Sequence, residues 1–147
     1  MCDFLEAWVD PAEVISGLPL EPYFIHEGRR QEVVRELENA GFDVSEVDLS
    51  RVRSETEMLI SLGEALSAPS YYGANWDALR DVVRRRGART PLRMAFVLSS
   101  STAFFDANAH GFIRSVTLLQ MLARETSDLN EGYGQLEIFY LANWGKR

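Results

Sequence analysis

Residues 91–98 read PLRMAFVL, a run that is apolar on both alternating faces. A strand with one wet face alternates apolar and polar residues. A run like this belongs to a strand covered on both sides, as in a parallel sheet sandwiched between helices. The rest of the chain supplies the layers. FDVSEVDL at 42–49 and QLEIFYLA at 135–142 read as strands, and Tyr23 to Ile25 is a short apolar run fit for a sheet edge. Helical periods lie between them: Val33, Val34 and Leu37 within 29–41; Leu59, Leu62 and Leu66 within 54–66; Trp76, Leu79, Val82 and Val83 within 75–87; and the strongly apolar stretch 112–125. The order is β-α-β-α-α-β-α-β. Strands separated by helices are joined by crossovers, so the expectation is an α/β fold with a small, mostly parallel sheet.

Local signals punctuate these elements. Ser54 and Glu57 form a capping box that opens one helix, and Pro69 prevents that helix from continuing. Asn75 is an N-cap for the next, with Asp77 in its first turn, Arg84, Arg85 and Arg86 in its last, and Gly87 as its stop; each charge suits the helix dipole. In 42–49 the apolar parity switches from Phe42 and Val44 to Val47 and Leu49, which predicts a bulge or a late strand start. SSSTAFFDANAHG at 99–111 reads as a connection and DLNEGYG at 128–134 as a turn. Pro11, Gly17, Pro19, Pro22 and Gly28 make residues 1–28 read as irregular. The chain then divides into an N-terminal extension with one helix (1–41), a domain at 42–142 and a tail at 143–147.

Composition bounds the function. Hydrophobic residues make up 46% of the 147 and charged residues 25%, the balance of a globular protein with a real core. The net charge of −7 disfavours nonspecific nucleic-acid binding and suits a basic partner. The acidity is uneven: residues 1–57 hold 14 acidic and 5 basic groups, whereas the remainder carries a small positive excess. Cys2 is the only cysteine, so no internal disulfide forms. The first residues lack a basic stretch and an apolar core, and no apolar run is long enough for a membrane span. The expectation is a cytoplasmic protein without a membrane partner. His26, His110 and Cys2 lie far apart in sequence, and no glycine-rich phosphate loop occurs, so no metal or other cofactor is expected.

The chemistry concentrates in APSYYGANWDALRDVV, residues 68–83. Asp77 and Asp81 are four residues apart on the helix capped by Asn75, which puts both carboxylates on one face. Tyr71 and Tyr72 stand on the loop before it. Carboxylates at this spacing ordinarily mean only a solvated face, and Arg80, Arg84 and Arg85 are within pairing distance along the helix. An aromatic and acidic cluster at a rigid helix start is also the make-up of an interface anchor.

YYGANWDAL resembles the YYG-x-N-x-DAL signature of the barstar family, and the resemblance extends over about residues 42–142. Barstars are intracellular inhibitors of secreted, guanyl-specific microbial ribonucleases such as barnase. The resemblance implies a barstar-like fold in which the helix beginning near Asn75, with its preceding loop, plugs a ribonuclease active site. It implies that Asp81 lies where the substrate phosphate would sit and that Asp77 makes a second acidic contact. Tyr71 would pack against catalytic groups, while Gly73 and Asn75 form the loop of close backbone approach and Trp76 belongs to the same contact set. The acidic contact that the family draws from its later helix has no clean counterpart in this sequence; Arg124 or Glu125 falls nearby, depending on register. The partner implied is a ribonuclease or a related toxin protein, with no nucleic acid bound directly. Two readings from other classes stand beside this one: a hydrolase using Asp77 and Asp81 as an acid–base pair, and an RNA-binding module using the arginines of 84–89.

Overall fold

A computed structural model describes residues 8–86, 92–128 and 134–145. The short helix α1 (Pro11–Val14) is followed by β1 (Tyr23–His26), a single 3-10 turn at Glu27–Arg29, α2 (Arg30–Asn39), β2 (Asp43–Asp48), α3 (Glu55–Ala65), α4 (Trp76–Arg86), β3 (Leu92–Ser99), α5 (Ser101–Ala107), α6 (Ala109–Thr126) and β4 (Gly134–Ala142). The four strands form one sheet in the order β1-β4-β3-β2, every pairing parallel. The α/β class and the parallel sheet expected from the sequence are the ones observed.

The doubly apolar pattern of β3 has its reason here. Met94, Phe96 and Leu98 face one side with Leu136, Ile138 and Tyr140 of β4, in a core closed by α3, α4, α5 and α6. Ala95 and Val97 face the other with Phe139 and Leu141, beneath Val33 and Leu37 of α2 and Ile15. All nine residues of β4 are buried.

The parity switch in 42–49 has the same origin and involves no bulge. Residues 43–48 pair without interruption with 94–99. Phe42 and Val44 contribute to the α2 side, and Val47 and Leu49 to the α3 side. A strand between two helical layers needs apolar residues on both parities, and pairing can then continue in a single register.

Three other expectations are corrected. Within the stretch read as irregular, Asp10 accepts the Ala12 N–H at 3.0 Å and caps α1, with Pro11 in the first helical position. The stretch 99–111 is not a plain connection. It holds α5, which buries Ser101 and Phe104, and the start of α6. That second helix begins at Ala109 rather than 112 because Asn108 caps it, accepting the Gly111 N–H at 2.9 Å. The edge strand and the helix expected within residues 1–41 are both present: β1 pairs with β4, and α2 covers one face of the sheet. Gly87, most of the 128–134 turn, Cys2 and the end of the tail lie outside the described residues.

Candidate functional site

The loop between α3 and α4 is fixed from below. Ala68 N–H reaches back to Gly63 O at 2.8 Å, and Tyr72 N–H closes a turn on Pro69 O at 2.9 Å. Tyr72 turns inward: its hydroxyl donates to Leu59 O at 2.8 Å and its ring lies over Gly63. Burial pushes its phenol up to about 12. Ala74 then takes a left-handed conformation, φ +50°, which is strained for a residue with a Cβ. That residue reverses the chain into α4, where Asn75 accepts the Ala78 N–H at 2.8 Å as N-cap. Gly73 precedes it on the exposed side; a Cβ there would stand 3.0 Å from Asn75 Nδ2 and crowd the cap.

Helix α4 buries Leu79, Val82 and Val83, which fixes which of its faces looks outward. Trp76 is half-buried and packs against the larger core cluster, with Nε1 enclosed and bonded to no described residue. Tyr71, by contrast, is 67% exposed. Asp77 and Asp81 both point to solvent, the Asp77 side chain 93% exposed and that of Asp81 56%. The loop tyrosine and the two carboxylates therefore share an open surface at the start of a capped helix.

Arginines accompany each acid. Arg80 binds Asp77 at 2.6 Å and, across to α6, Glu125 at 2.7 Å. The hydrogen bond to Glu125 is the main reason its guanidinium is held even more firmly protonated than usual. Arg85 pairs with Asp81 at 3.1 Å, donates to the Tyr71 hydroxyl, and lies 5.4 Å from the centre of that ring. Arg86 turns away, to Asp43 at 3.1 Å and Leu66 O at 2.5 Å. The ion pairs of Asp77 and Asp81 are solvent-exposed, and such pairs contribute little and exchange readily. Among the described residues, no group of His, Cys, Asp and Glu gathers where a metal would be held.

The family model described as Barstar (barnase inhibitor) matches residues 42–137, from β2 into β4. The chain belongs to the barstar family. Members of that family are inhibitors rather than enzymes and bind ribonucleases, so membership gives this chain, in general terms, a barnase-inhibitor-like or immunity-type role. The barstar match leaves out β1, which completes the sheet at one edge, and α2, which covers one of its faces. No curated protein matches the chain. Among the described residues, no helix is long and apolar enough to cross a membrane.

Tyr71, Gly73, Asn75, Asp77 and Asp81, the residues expected from the signature, thus lie together on the exposed side, and Trp76 lies half beneath them. Sequence reasoning left open whether Arg124 or Glu125 reaches this region; Glu125 does, through Arg80. The Arg85–Tyr71 contact was not foreseen. The spacing of Asp81 and Arg85 signalled their pair, but the contact with Tyr71 depends on the path of the loop.

Proposed function

We propose that this barstar-family chain is a cytoplasmic inhibitor of a secreted, guanyl-specific ribonuclease of the barnase type, protecting its host's RNA before the enzyme is exported. The supporting observation is the joint exposure of Asp77, Asp81 and Tyr71 on the rigid start of α4. A pocket that binds RNA phosphate is lined with cations. Carboxylates delivered on a preorganised helix enter such a pocket with little ordering cost, and Tyr71 caps the catalytic groups. Gly73 and Asn75 bring the backbone close, and Trp76 braces the helix start from the core side. A different toxin enzyme with a cationic cleft would be met by the same surface.

The hydrolase reading fares worse, because Asp77 and Asp81 stand on an open helix face where nothing excludes water. The RNA-binding reading keeps Arg84 exposed but has Arg86 drawn inward to Asp43 and Arg85 shared with Asp81 and Tyr71, beside two exposed carboxylates that would repel a phosphate backbone; Arg89 lies outside the described residues. The direct experiment mixes the purified chain with a barnase-type ribonuclease and follows RNA cleavage. Cleavage that stops near one equivalent of the chain supports the proposal. Undiminished cleavage at large excess removes that enzyme class as the target.

A further inference from the structure

Helix α4 carries two acids, Asp77 and Asp81, but four arginines, Arg80, Arg84, Arg85 and Arg86, so it is net positive on a chain of net charge −7. A uniformly cationic cleft would be a poor match for such a helix. The helical spacing sorts the charges into rows. Asp77, Asp81 and Arg85 follow one another at intervals of four, and Arg80 and Arg84 form the neighbouring row toward α6. Arg86 is drawn inward to Asp43, Arg85 is held by Asp81 and Tyr71, and Arg80 by Asp77 and Glu125. Arg84 is exposed and makes no ion pair with another described residue. It stands with Arg80 on the wall of a notch of about 240 Å³ between α4 and α6, whose other lining includes Val83, Leu122, Glu125 and Asp128. Glu125 is already engaged by Arg80, which leaves Asp128 as the other acid facing the notch.

We infer that this notch receives a carboxylate side chain of the partner, bound by Arg84 with Arg80 behind it, beside the row where Asp77 and Asp81 receive the partner's cations. The inference rests on the proposed ribonuclease-binding role and specifies the charge pattern of the cleft that fits. The chemistry of that target agrees. An enzyme that cleaves RNA through the ribose hydroxyl needs a general base next to its phosphate-binding cations, and a carboxylate is one such base. The partner's surface is then a mosaic, and Arg84 is a specificity-determining residue.

The test measures affinity of the full chain and of its Arg84→Ala and Arg84→Glu variants for a barnase-type ribonuclease whose general base is a carboxylate. A charge-assisted hydrogen bond at the notch makes Arg84→Ala weaken binding about ten- to hundredfold, and Arg84→Glu more. Changing the enzyme's carboxylate to its amide erases most of the difference between the parent chain and the Arg84→Ala variant. If both variants bind as tightly as the parent or tighter, the cleft is uniformly cationic there and the inference is overturned while the inhibitor role stands. If the parent chain itself fails to bind, the inhibitor role falls, and this inference with it.

Discussion

Tyr72 lies over Gly63 so closely that a Cβ on Gly63 would stand 2.4 Å from the ring. Gly63 is inside α3, where glycine normally weakens a helix and alanine would improve it. Here the missing side chain is the seat of the tyrosine that anchors the recognition loop. Tyr72 is held there by its bond to Leu59 O, so the ring cannot simply step aside.

Gly63→Ala is therefore expected to destabilise the fold by about 1–3 kcal/mol, the cost of overpacking a fitted site, despite the better helix propensity. It should also loosen the loop that presents Tyr71. Urea denaturation measures the first effect and ribonuclease affinity the second. A variant more stable than the parent would mean that the contact is not constraining.

Glu137 lies on β4 facing the side covered by α2 and the N-terminal segment, almost wholly buried. Gln135 Nε2 donates to it at 2.9 Å and to Val9 O at 2.6 Å, while Oε1 of the same amide accepts the Val9 N–H at 3.0 Å. Burial raises the Glu137 carboxyl from 4.5 to about 7, and the nearby acids Glu21 and Asp10 push the same way. The folded chain thus keeps a proton that the unfolded chain releases. Stability is greatest below pH 4.5 as far as this group is concerned, falls as pH rises through the interval up to about 7, and levels off above it. The fall amounts to about 3 kcal/mol. Glu137→Gln should remove it, which denaturation of both proteins at pH 5 and pH 8 would reveal as a smaller difference for the variant.

Asn75 is the only side chain that caps α4 among the described residues, and it does so at the point where Ala74 reverses the chain. Asn75→Ala should cost about 1 kcal/mol of stability. Asn75→Asp keeps the capping oxygen and should restore most of that loss, as thermal unfolding of the three proteins would show.

The elements and their faces were legible because each carried its own local code. Ser54 does accept the Glu57 N–H, at 3.1 Å, as the capping box requires, although Glu57 reaches back to the N–H of Arg53. The doubly apolar β3 announced the layered sheet. Helix α5 was hidden because it is only seven residues long, opens on serines, and follows Ser100 in a left-handed conformation without a side-chain cap. Its formation depends on burying Phe104 against the sheet side of the core, a tertiary gain that no local pattern records. In the site, the exposed positions of Asp77 and Asp81 followed from helical spacing. Their arginine partners, Arg80 three residues after Asp77 and Arg85 four after Asp81, followed from the same spacing, whereas the reach of Glu125 to Arg80 depended on where α6 packs, which spacing along a single helix does not determine.

The measurement that bears most directly on the acidic helix face compares the chain with its Asp81→Ala variant in a titration against a barnase-type ribonuclease. The Asp81–Arg85 pair is open to solvent, so the variant should unfold like the parent. Its affinity should nevertheless fall by about 2–5 kcal/mol, a range that comes from ribonuclease–inhibitor complexes of this same family and is carried over to this chain. Equal inhibition by parent and variant would contradict the account, because Asp81 would then not be the group that enters the enzyme's cationic cleft.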